Sequence, residues 1–195
     1  GEYVVFNKAY GFADVEANIL ANRETKYKIG SVTKTFTAVM LMQLIEERKL
    51  GLQTKLARFY PKIPNAEKIS IEDLLHHRTG IVDYINQDTL IDVYGKHAHS
   101  EMIEKITAYP PLFEPGTKYE YSNSNYYLLG TIIEKLTKKT YAENLQDRIV
   151  KKANLVNTYY HENKTDTNSG ESYSYMFNGT EWEKFAEWDN SSAFS

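Results

Sequence analysis

The run Ile29-Gly30-Ser31-Val32-Thr33-Lys34-Thr35-Phe36-Thr37-Ala38 decides how the rest of the chain is read. From Ser31 to Lys49 the apolar residues Phe36, Val39, Met40, Leu44 and Ile45 recur at helical spacing. Gly51 stands where a left-handed C-terminal cap is wanted, so the stretch predicts a helix headed by Ser31. A three-residue step on a helix puts the Ser31 hydroxyl and the Lys34 amine on one face, about 5 to 6 Å apart at Cβ. A lysine side chain spans that gap, which brings proton transfer within reach. Ser31 also follows a glycine at the helix start, where unpaired backbone N–H groups and the positive end of the macrodipole suit an oxyanion on an acylated substrate.

By itself Ser-x-x-Lys carries little. With 11 Ser and 18 Lys among 195 residues, about one such pair is expected by chance and one is found, so its plain reading is a helix start. Tyr-x-Asn, with 16 Tyr and 14 Asn, is likewise expected about once, and occurs at Tyr84-Ile85-Asn86 and at Tyr121-Ser122-Asn123. Context chooses between the two. Tyr121 is preceded by Phe113-Glu114-Pro115-Gly116 and followed by Asn125-Tyr126-Tyr127-Leu128-Leu129-Gly130, whereas Tyr84 has no such setting.

Working outward, the opening residues Tyr3–Phe6 and Ala9–Val15 predict a β-hairpin, with Gly11 at a bulge or a close approach. Ser70 and Asp73 predict a capped short helix that feeds a turn at Gly80, with His76 and His77 at its end. Further helices are expected over Ser100–Tyr109, closed by Pro110 and Pro111, and over Asn125–Lys138 with its Leu128, Leu129, Ile132, Ile133 and Leu136 stripe. Thr140 and Glu143 cap another. Beyond about Asn157 the pattern alternates, Tyr173–Phe177 and Trp182–Trp188, around an Asn178-Gly179 turn.

Composition bounds the partners. A chain that is 42% hydrophobic and 13% aromatic can bury a sizeable core. A net charge of -3 with no block of Lys or Arg leaves no footprint for nucleic acid or an anionic membrane. The absence of cysteine excludes disulfides, thiolate metal sites and a cysteine nucleophile. No apolar run approaches the roughly 20 residues that span a bilayer, and Gly1–Tyr10 lacks the pattern of a secretion signal. Because strand pattern begins at once, the chain reads as cut from something longer. His97-Ala98-His99 lacks a third ligand at a recognisable spacing, so no metal is assigned. His77 is read as a structural hydrogen-bonding residue, and the aromatic residues from Tyr159 to Trp188 as packing.

The ten-residue run at Ser31, Leu74-Leu75-His76-His77-Arg78-Thr79-Gly80-Ile81, and Tyr121-Ser122-Asn123 in its setting together resemble the class C β-lactamase-like family of serine β-lactamases and penicillin-binding proteins, with its related esterases and D-alanyl-D-alanine peptidases. Thr79 stands where that family usually has serine. The resemblance implies Ser31 as nucleophile, Lys34 and Tyr121 as its activating bases, and Asn123 orienting Lys34 and binding the substrate. It implies no cofactor and no metal. A phenol and an amine of ordinary pKa, about 10 and about 10.4, stay protonated at neutral pH, so such a mechanism needs their acidity perturbed or a proton shared between them.

The resemblance also implies an α+β fold, β-lactamase/transpeptidase-like, with a helical domain beside an antiparallel sheet. Residues 1–29 would supply N-terminal strands, 30–156 the mainly helical domain with the nucleophile helix, and 157–195 a hairpin region. One departure stands out: no Lys-Thr-Gly, His-Thr-Gly or His-Ser-Gly triplet occurs, although penicillin-binding enzymes use one on a later strand. The chain is therefore expected to be truncated, without the C-terminal strands and catalytically incomplete alone. Exposed strand edges would favour self-association. The partner expected is a small-molecule substrate, a β-lactam, a D-alanyl peptide or an ester, and the family setting suggests an extracytoplasmic site of action. A β-lactam sensor and a non-catalytic relative are the alternatives.

Overall fold

A computed structural model describes residues 3–85, 95–160 and 164–187. These fall into two compact units, one within residues 3–29 and 164–187, the other within 30–85 and 95–160. Asn86 and Trp188, which figure in the sequence reading, lie outside the described residues.

The second unit is helical. A 3-10 turn at Gly30–Val32 leads into α1 (Thr33–Glu46), followed by α2 (Ile71–Leu75), α3 (His99–Ala108), α4 (Asn123–Thr137), α5 (Tyr141–Leu145) and α6 (Lys151–Ala153), the last two joined by a π turn at Gln146–Val150. Helix α4 packs against α1, α2 and α5. Every residue from Asn123 to Ile133 is buried, so α4 is the element around which the others are arranged. Ser70 and Asp73 form the expected capping box on α2, as do Thr140 and Glu143 on α5.

Helix α1 ends earlier than its glycine suggests. Arg48, not Gly51, takes the left-handed conformation (φ 58°), with Arg48 N–H bonding to Ile45 O and Lys49 N–H to Leu44 O. That pair of bonds is a Schellman motif closed by a residue with a Cβ. The apolar stripe is also rotated: Lys34, Thr37, Met40, Leu41 and Leu44 are buried, while Val39 is 47% exposed.

In the first unit, β1 (Phe12–Asp14) pairs antiparallel with β2 (Ile19–Leu20), and β3 (Tyr175–Phe177) with β4 (Trp182–Lys184). Gly11 (φ 80°) precedes a register shift between Phe12 and Asp14, which is the bulge its position suggests. The expected strand at Tyr3–Phe6 does not form. A strand needs a hydrogen-bonded neighbour; none of the described residues pairs with this one, and its side chains stay exposed. The hairpin instead turns one segment later, around Glu16–Asn18. At the second turn Asn178 Oδ1 accepts from Thr180 and Glu181 N–H, giving a loop longer than the two-residue turn expected. Among the described residues no helix is long and apolar enough to cross a membrane.

Candidate active site

Three elements of the helical unit converge on Ser31. The 3-10 turn that opens α1 carries Ser31, the first turn of α1 carries Lys34, and the segment entering α4 carries Tyr121 and Asn123. Ser31 Oγ lies 2.9 Å from Tyr121 Oη and 3.2 Å from Lys34 Nζ. Lys34 Nζ also donates to Asn123 Oδ1 at 2.8 Å. All four residues singled out in the sequence are therefore linked in one set of contacts. Tyr121, 39% exposed, faces outward at this point, whereas Lys34 and Asn123 are buried.

Lys34 has few degrees of freedom. Its amine sits 5.1 Å from the Tyr121 ring centroid and 5.6 Å from that of Tyr126, both within cation–π range. Lys34 Nζ donates to Ser31 Oγ, and between Ser31 Oγ and Tyr121 Oη either hydroxyl can be the donor. Tyr121 Oη in turn is 3.4 Å from Asn123 Oδ1.

The turn after α2 holds the tyrosine. His77, in the left-handed region at φ 53°, accepts from Glu120 N–H through its carbonyl (3.0 Å) and from Ser122 N–H through Nδ1 (3.2 Å). It thereby grips the backbone on both sides of Tyr121. Its ring also stacks on the tyrosine ring, centroids 4.5 Å apart. Asn125 Nδ2 shares the same imidazole nitrogen at 3.2 Å, while its Oδ1 accepts from Thr79 Oγ1 at 2.7 Å. Burial, and after it the nearby Lys34 charge, holds the His77 pKa below the usual histidine value, so the ring stays neutral and Nδ1 stays an acceptor.

Sequence reasoning missed Asp83. Its carboxylate accepts from Asn123 Nδ2 at 2.9 Å. The only local signal was its place shortly after Leu74–Ile81, because the partner lies 40 residues further on. The other Tyr-x-Asn tyrosine, Tyr84, is buried against the edge of Tyr127. His97 and His99 do not converge: His97 Nδ1 lies 3.1 Å from Glu101, and His99 Nδ1 bonds to Tyr127 Oη at 2.6 Å. Among the described residues no group of three or more His, Cys, Asp or Glu is placed to hold a metal.

Known proteins are similar to this chain over most of its length. Residues 1–192 match the model of the family described as Beta-lactamase. Protein flp of Staphylococcus aureus strain MRSA252 is 29% identical over 201 residues, an alignment covering 98% of this chain and 40% of that protein. A teichoic acid D-alanine hydrolase of Staphylococcus aureus is 29% identical over 174 residues, 89% of this chain and 42% of the relative. The crystal structure of D-amino acid amidase from Ochrobactrum anthropi SV3, complexed with L-phenylalanine amide, superimposes with a TM-score of 0.77 at 26% identity, over 94% of this chain and 52% of that one. The fold is thus β-lactamase/transpeptidase-like. The chain spans less than half the length of these two curated relatives and about half of that structure.

Proposed function

Because this chain belongs to the Beta-lactamase family, we propose that it carries the nucleophile, its activating bases and the orienting amide of a serine hydrolase site. Ser31 attacks a substrate carbonyl, Tyr121 and Lys34 relay its proton, and Asn123 fixes Lys34 and meets the substrate. The observation that supports this reading is the closed set of contacts Tyr121 Oη–Ser31 Oγ–Lys34 Nζ–Asn123 Oδ1, at 2.9, 3.2 and 2.8 Å. In the first half-reaction the Ser31 O–H proton moves to the Tyr121–Lys34 pair and Oγ bonds to the carbonyl carbon. The leaving amine or alcohol departs with that proton, and an ester on Ser31 remains. Water then attacks that ester, its proton entering the pair while the acid is released and Ser31 Oγ is reprotonated.

Two relatives named for a D-alanine hydrolase and a D-amino acid amidase favour an ester or amide of a D-amino acid as the acyl donor, with β-lactams as chemically related donors. The 195 residues contain no Lys-Thr-Gly, His-Thr-Gly or His-Ser-Gly triplet. Slow acylation of the 195-residue chain relative to the full-length protein is therefore expected. The test is intact-mass spectrometry of both forms after incubation with a penicillin and with an activated D-alanyl ester, alongside Ser31→Ala. A gain of one acyl group that Ser31→Ala abolishes supports the proposal. A stable adduct without turnover would make the protein a sensor, and no adduct from either donor on the full-length protein sinks the hydrolase reading.

A further inference from the structure

Asn123 stands between two buried groups of opposite charge. Lys34 Nζ donates to its Oδ1 at 2.8 Å, and its own Nδ2 donates to Asp83 Oδ2 at 2.9 Å. Lys34 and Asp83 are both buried, and among the described residues neither touches an opposite charge directly. Buried charges are costly unless compensated, and here the compensation runs through one amide. An ammonium only donates and a carboxylate only accepts, so just one of the two amide orientations satisfies both neighbours.

The carboxylate is itself held in place. Asp83 Oδ1 accepts from Ile85 N–H at 3.1 Å. Ser124, the residue after Asn123, donates to Val82 O at 2.6 Å and accepts from Tyr84 N–H at 3.1 Å, so it ties down the peptide groups on both sides of Asp83. The order of donors then runs one way, from Asn123 to Asp83, from Lys34 to Asn123 and from Lys34 to Ser31.

We propose that Asp83 is a positioning residue of this site, one that sets the orientation of the Asn123 amide and, through that amide, aims the Lys34 amine at Ser31. The inference rests on the reading of Ser31 as the nucleophile. Among the described residues, Asp83 is linked through Asn123 to Lys34 on α1, and its charge acts on His77 on the turn after α2.

The experiment follows acylation of the full-length protein by an activated D-alanyl ester across pH, in wild type, Asp83→Asn and Asp83→Glu, with rates normalised to the folded fraction. Asp83→Asn should lower the maximal acylation rate roughly 10- to 100-fold with little change in the half-saturating concentration. It should also move the pH profile to lower pH, because each neighbouring group loses a negative charge. Asp83→Glu, which keeps the charge, should leave the profile in place. A normalised Asp83→Asn rate equal to wild type, or an unmoved profile, overturns the inference while leaving the proposed function standing. A wild type that takes up no acyl group removes both.

Discussion

At the scale of single residues, Gly80 shows how much of the site depends on backbone space. It sits at φ 73°, a conformation costing a residue with a Cβ about 1–2 kcal/mol, and an added methyl would overlap the carbonyl of Phe113. The close approach has a purpose: Leu112 N–H donates to Gly80 O at 2.8 Å, and Gly116 N–H to Arg78 O at 2.8 Å. These bonds lay the segment leading to Tyr121 along the turn that carries His77. Gly80→Ala should therefore destabilise the chain by at least about 2 kcal/mol, seen as a lower urea midpoint with unchanged slope. A variant with the wild-type midpoint would show that the turn has room to move. Ser31, Lys34, Tyr121 and Asn123 were legible in the sequence because their spacings sit in distinctive surroundings. Asp83 was not, because a lone carboxylate after a turn has no pattern, and its meaning comes from an amide distant in sequence.

At the scale of elements, α1 explains why periodicity located the helix but misplaced its face. Lys34 and Thr37 point inward, Lys34 toward Asn123 and Thr37 onto Tyr141 Oη at 2.6 Å. Two polar residues thus occupy the buried side, and an apolar pattern cannot register them. The C-terminus was misplaced for a related reason, since a left-handed arginine does the work expected of glycine. The turn after α2 couples to the segment ahead of α4 through His77, and that coupling depends on protonation. Its folded pKa is lowered by burial and then by Lys34. The stability this contributes is fully present above the ordinary histidine value of about 6.5 and is lost as pH falls through the lowered folded value, because the unfolded chain binds the proton more readily. Urea unfolding should accordingly show stability declining as pH is lowered below about 6.5. His77→Asn, which tolerates a positive φ, should weaken that decline. An undiminished decline would assign the effect to other groups.

At the scale of the whole chain, the two units differ in what they bury. The hydrophobic cluster that includes Met40, Leu44, Leu74, Met102, Leu128 and Ile132 lies within the helical unit, together with every candidate site residue. Among the described residues of the other unit, Ala13 is the only buried hydrophobic one. In the same unit Tyr3, Val4, Val5, Phe6, Leu20 and Trp182 are each at least 64% exposed. The helical character of the middle of the chain could be read from sequence because its contacts are local and periodic. That Tyr3–Phe6 forms no strand could not, because a strand's existence is decided by its neighbour. Ordering residues costs about 1–2 kcal/mol each in backbone entropy, which the unit with almost no buried apolar surface offsets poorly, and exposed apolar segments beside open strand edges attract further copies. Residues 30–160 alone should keep the helical circular dichroism of the whole chain and sediment as a monomer, whereas the 195-residue chain should show a mass that climbs above 22.6 kDa with concentration. Val5→Lys with Phe6→Lys should restore the monomer. A 195-residue chain that stays monomeric at every concentration, or a 30–160 fragment without helical signal, would contradict this division of labour between the units.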